Sequence, residues 1–141
     1  MRKIFVLLGA VILLSADSVS GQAVCASADP KSHRLIGVLK NMMESDAAAA
    51  RASVSLPLVS MSELVLVSDP KVCARAGQAA DSVFRTWSPG ATFTTNPPLY
   101  VIRVGTSFVV ADLSAPPNPH NEFDTVFVFG PRWEFRSLMG T

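Results

Sequence analysis

The chain predicts an α+β domain: an antiparallel sheet of four to five strands with one or two helices packed on one face. Three observations carry that expectation. Two segments, from residue 32 and from residue 70, repeat apolar residues at three- and four-residue steps, the period of a helix with one buried side. A short, partly β-branched run, Glu63–Val67, stands between them. Four further apolar runs then follow as two hairpins, and strands grouped after helices argue for a segregated α+β layout.

Ahead of this domain the chain opens with Met1-Arg2-Lys3 and runs apolar from Ile4 to Leu14. In helical geometry that run spans about 16 Å, roughly half of a ~30 Å hydrocarbon core. It therefore matches the apolar region of a secretory signal peptide rather than a membrane anchor. The small residues Gly21 and Ala23 fit a cleavage site after Ala23, with a cut after Ser20 as the alternative. The expected organisation is a signal peptide over 1–23 and a single small exported domain over 24–141, secreted or periplasmic.

Removing Arg2, Lys3 and Asp17 leaves ten basic and ten acidic residues. A net charge near zero supplies no electrostatic reason to expect a nucleic acid partner, and no membrane span is expected after cleavage. Two cysteines remain, Cys25 and Cys73. In an exported chain a single pair reads as one disulfide, and CxxC spacing, the mark of a redox pair, is absent. Closing the chain across these positions removes roughly 4 kcal/mol of denatured-state entropy.

Residues 24–31 read as an extended leader held at Cys25. Ser32 is the expected N-cap of the first helix, whose apolar side carries Leu35, Val38, Leu39, Met42 and Met43. Ala47–Ala50 extends the helical tendency after a break at Ser45-Asp46. Residues 53–61 form a connector before the strand at 63–67. Asp69-Pro70 is a strong helix start, with the cap at Asp69 and proline at the first helical position. Val72, Cys73, Ala76, Ala80, Val83, Phe84 and Trp87 then share one side, and Ser88-Pro89-Gly90 ends the helix.

Leu99–Val104 and Ser107–Leu113 flank Gly105-Thr106, whose glycine suits the first central position of a type II′ turn. That turn pairs Ile102 with Val109, Tyr100 with Ala111, and Arg103 with Phe108. Prolines 116, 117 and 119 exclude residues 114–121 from any central strand. Phe123–Phe129 and Arg132–Leu138 flank Gly130-Pro131 as the second hairpin. With Gly130-Pro131 as the turn, Trp133 and Phe135 share a face with Val126 and Val128.

Motifs of nucleophilic, phosphate-binding or calcium-binding sites are absent from the chain, so no catalytic residue and no cofactor is assigned. His33, at a helix start, and His120, in a proline-rich loop, read as surface residues. His120, Glu122 and Asp124 lie close in sequence, but so loose a trio is weak as a metal site, and no metal is assigned. The more suggestive feature is the last hairpin. Phe127 and Phe129 share their expected face with Arg132 and Arg136, a combination suited to a binding surface for a protein or small ligand. The opposing expectation is that the sheet is covered there, with arginine stems lying over the rings. The function expected is a non-enzymatic binding or envelope-associated module. The alternatives are an inhibitor-like accessory module presenting loop 88–98 or 114–121 to a partner enzyme, and a small hydrolase with a scattered site.

Overall fold

The computed structural model describes residues 25–87, 89, 99–113 and 123–139. The expected export segment, and most of the loops 88–98 and 114–121, lie outside these residues.

The first helix, α1, spans Pro30–Asn41, three residues earlier than the Ser32 cap predicts. The cap is Asp29: its carboxylate accepts the Ser32 N–H at 2.7 Å, and the Ser32 hydroxyl accepts the Asp29 N–H at 2.9 Å. This reciprocal box satisfies two backbone donors at once, and Pro30 takes the first helical position, where no donor is needed. Asp29-Pro30 is thus the same start signal as Asp69-Pro70. A 3-10 turn at Ser45–Ala47 leads into the short helix α2, Ala48–Ser53. That helix ends in a Schellman-type closure, with Leu56 N–H bonded to Arg51 C=O, Ser55 N–H to Ala52 C=O, and Ser55 left-handed at φ 58°. Another 3-10 turn, Met61–Glu63, precedes strand β1, Leu64–Leu66. Helix α3 runs Pro70–Trp87, with the Asp69 carboxylate accepting the Lys71 N–H at 2.9 Å.

Strands β2 (Tyr100–Val104), β3 (Ser107–Leu113), β4 (Phe123–Phe129) and β5 (Phe135–Leu138) complete one antiparallel sheet in the order β1-β2-β3-β4-β5. The β2–β3 register agrees with the glycine turn: Tyr100 faces Ala111, Ile102 faces Val109 and Arg103 faces Phe108. Gly105 adopts φ 64°, its N–H bonds to the Glu63 carbonyl, and a Cβ there would come within 2.8 Å of Val59 Cγ1. No side chain fits, so glycine is required. β1 joins as the edge beside β2, with Leu64 opposite Val104.

The second hairpin departs from expectation. Its turn is a three-residue loop, Pro131-Arg132-Trp133, closed by Trp133 N–H on the Gly130 carbonyl and Gly130 N–H on the Glu134 carbonyl. Trp133 occupies the left-handed position at φ 61°, where glycine or asparagine is the usual choice. The longer loop and a bulge shift the pairing: Phe135 faces Phe129, Ser137 faces Val128 and Leu138 faces Phe127. Phe135 therefore joins the face of Phe127 and Phe129, rather than that of Val126 and Val128.

The two long helices do not share a side of the sheet. Leu35 and Leu39 of α1 pack with Tyr100, Ile102, Val104, Val109, Ala111, Val126 and Val128 on one face. Cys73, Ala76, Ala79 and Ala80 of α3 pack with Val101, Val110, Phe127 and Phe129 on the other. The cause lies in β2–β4, which carry apolar residues at both alternating sets of positions, so each face needs its own cover. The stripe on α3 is made of small residues because the bulk rises from the sheet: Phe127 and Phe129 fill the space that large helical side chains would need. Trp87, the expected end of that stripe, overhangs the sheet margin and stays 47% exposed.

Cys25 and Cys73 form a disulfide with Cα atoms 5.6 Å apart, as the thiol count predicts. Cys25 also makes a parallel bridge to Leu99, and Ala26 N–H donates to the Leu99 carbonyl at 3.0 Å. The N-terminal residues thus take over the edge of β2 where the chain leaves β1 for α3. Among the described residues no helix is long and apolar enough to cross a membrane.

Candidate surface at the β5 margin

Four residues of the last hairpin are the sequence's candidates for a binding surface, and the structure separates them. Phe127 and Phe129 are 1% and 0% exposed, under α3. They form no open face, because the helix that begins at Asp69-Pro70 lies across them. Arg132, in the turn, and Arg136, on β5, stand on the surface. The exposed apolar groups lie one strand further out: Trp87, Phe135 at 39% and Leu138 at 47%.

These three come together by identifiable steps. Trp87 lies on the last turn of α3, where its ring stacks on Phe127 at 6.1 Å between centroids and meets Phe135 edge-on at 5.8 Å. Phe135 in turn meets Phe129 at 6.1 Å. The buried rings therefore act as a floor that holds the outer ones in place. Leu138 enters this face through its register with Phe127. The opposite face of β5 is closed, since the Ser137 hydroxyl donates to the Val54 carbonyl at 2.6 Å and Met139 is buried in the α1 core. The strand thus presents one open face only.

Among the described residues its backbone is open as well. Met139 N–H bonds to the Val126 carbonyl, so in the antiparallel ladder the neighbouring Leu138 directs its own N–H and C=O away from β4. The local electrostatics are set by Arg132, Glu134 and Arg136. The Glu134 carboxylate accepts the Arg132 N–H at 2.9 Å and pairs with Arg136 at 3.2 Å. Its carboxyl sits below the ordinary range, held first by its own backbone N–H and that of Arg132 against partial desolvation, and then by Arg136. Both partners of that ion pair are substantially exposed, so it fixes geometry more than it stabilises. The Arg132 guanidinium makes no ion pair among the described residues. At the turn, Trp133 stacks on Phe108 at 4.2 Å with the Arg75 guanidinium 5.9 Å from its ring centre.

Sequence reasoning identified the arginines and the aromatic hairpin but missed Trp87 and Leu138. Trp87 reads as core by helical spacing, and nothing in one-dimensional periodicity reveals that its helix outruns the sheet. Among the described residues both cysteines are consumed in the disulfide, and His33 is exposed. No described group of three His, Cys, Asp or Glu side chains is placed to hold a metal ion. The trio His120, Glu122 and Asp124 falls outside the described side chains, as do the loops proposed for presentation, apart from Pro89. The arrangement at β5 suits adhesion: an open strand margin, a supported aromatic floor and flanking cations. No family model, no curated protein and no solved structure matches the chain.

Proposed function

We propose that the protein is an exported, non-catalytic binding domain that engages a protein partner through the margin formed by Trp87, Phe135 and Leu138, flanked by Arg132 and Arg136. One observation carries this reading: three large apolar side chains, each more than a third exposed, gather at β5, the edge strand of the described sheet, where the Leu138 backbone groups face away from β4. Edge strands of this kind pair with other chains unless they are protected, and patches of aromatic and arginine residues dominate binding energy where they are desolvated. The signal-like N-terminus and the disulfide support the export half of the reading, since lone thiol pairs persist as disulfides outside the reducing cytosol.

Site-specific photo-crosslinking in the producing cell tests the proposal. A photoreactive residue at Phe135 is expected to yield a discrete adduct, and one at the exposed Lys40 of α1 is not. The adduct should vanish in a Trp87→Ser, Leu138→Ser variant that retains its near-UV circular dichroism. Equal adducts from both positions, or none from 135, would overturn the assignment of the surface.

A further inference from the structure

We infer that the occupant of this margin is a short extended segment of a partner protein, carrying a carboxylate side chain two positions from a large apolar one. This rests on the binding reading above and specifies the chemistry of the partner. The extended conformation follows from the backbone: Leu138 offers an N–H and a C=O on the open side of β5, and an added strand satisfies both. The spacing follows from the bulge. Arg136 is its extra residue, between Phe135 and Ser137, and Phe135, Arg136 and Leu138 are exposed while Ser137 is partly buried, which places a cation two positions from an apolar group along the open side.

The sign of the charge follows from the arginines. Among the described residues, Arg132 and Arg136 against Glu134 leave the margin net positive, and the Arg132 guanidinium has no ionic partner. A lysine or arginine in the incoming strand would face like charge, whereas a glutamate gains Arg132 and can share Arg136 with Glu134. The apolar residue of the segment then lies against Leu138 and the exposed edge of the Trp87 ring. On the other face of the added strand, the Ser137–Val54 hydrogen bond and buried Met139 leave little relief, so small or polar side chains belong there.

The test uses the disulfide-intact protein and three blocked octapeptides built on threonine. One carries glutamate and leucine two positions apart, one carries lysine in place of glutamate, and one carries the glutamate with a leucine methylated at its backbone nitrogen. Amide and indole chemical-shift titrations locate and quantify binding. The expected result is shifts at 135–138 and at the Trp87 indole for the acidic peptide, and about fivefold weaker binding of the lysine peptide. The N-methylated peptide should not bind, because the leucine opposite Leu138 is the residue whose N–H pairs with the Leu138 C=O. Exchanging Arg132→Gln and Arg136→Gln together should abolish the preference for glutamate while the leucine contact persists. Equal affinity for the acidic and lysine peptides at the same residues overturns the acidic partner and leaves the binding margin intact. Shifts elsewhere, no binding at millimolar peptide, or self-association that covers β5 at the same protein concentration overturns strand addition. The crosslink from residue 135 then decides separately whether the margin binds anything.

Discussion

At the residue scale, Asp29 carries more than a helix cap. Its second carboxylate oxygen accepts the Tyr100 hydroxyl at 2.7 Å, so one side chain ties the start of α1 to β2 beneath it. Burial raises the pKa of this carboxyl, but the Ser32 backbone N–H, the Tyr100 and Ser32 hydroxyls and the Lys31 charge together outweigh burial and hold it below the ordinary range. A depressed carboxyl contributes stability that is present above its unfolded pKa and is lost as pH falls through the folded value. Asp29→Ala, which removes the cap, should cost about 0.5–2 kcal/mol at pH 7, and the difference from wild type should be smaller at about pH 3, below the ordinary aspartate value. Urea unfolding at both pH values measures this, and a pH-independent difference would contradict it. Trp133 presents the opposite situation, a large residue held where glycine belongs. Its stack on Phe108 offsets a left-handed backbone. Trp133→Ala and Trp133→Gly both lose the ring, but the alanine variant also keeps the strain. Alanine should be less stable than glycine by roughly 1 kcal/mol, the reverse of the order in a helix. Equal denaturation midpoints would show that the turn relaxes out of the left-handed region. The Asp29-Pro30 signal stood in the sequence in the same form as Asp69-Pro70, but Ser32, three residues on, is an equally good cap by composition. Only the hydrogen bonds show that it is the third helical residue.

Among the elements, the helices and the first hairpin follow from local chemistry, and the second hairpin does not. Gly105-Thr106 fits a two-residue turn with glycine at its first central position, so the β2–β3 pairing is readable from that dipeptide. Gly130-Pro131 looks equivalent in sequence, yet proline sits inside a longer loop, and Trp133 supplies the left-handed residue that no propensity favours. The resulting slip moves Phe135 across the sheet and creates the aromatic margin. Gly37 illustrates a glycine without such a duty: it lies inside α1, where an added Cβ meets nothing within 4 Å. Gly37→Ala should stabilise the protein by about 0.5–1 kcal/mol, read as a higher denaturation midpoint with an unchanged slope. A lower midpoint would mean that the helix surface at this point has a neighbour the structure does not place there.

For the whole molecule, the sheet is a central layer with one long helix on each face, and the disulfide is the covalent link between the N-terminal strand segment and the α3 layer. Reduction should lower stability by roughly 4 kcal/mol in the chain-entropy model and release the Ala26 amide to exchange. Urea titration with and without reductant, together with hydrogen exchange at Ala26, tests this. A change below about 1 kcal/mol with a protected amide would show that packing alone holds the leader. The sequence by itself determined what acts over a few residues or by counting: the α+β class, the cap and proline that start α3, the glycine turn between β2 and β3, and the pairing of the two thiols. Tertiary structure decided which helix covers which face, that Phe127 and Phe129 are floor rather than surface, and that Trp87 overhangs the margin. Periodicity reports that a face is apolar. What lies against that face depends on where distant elements end, and those distances arise only once the layers pack.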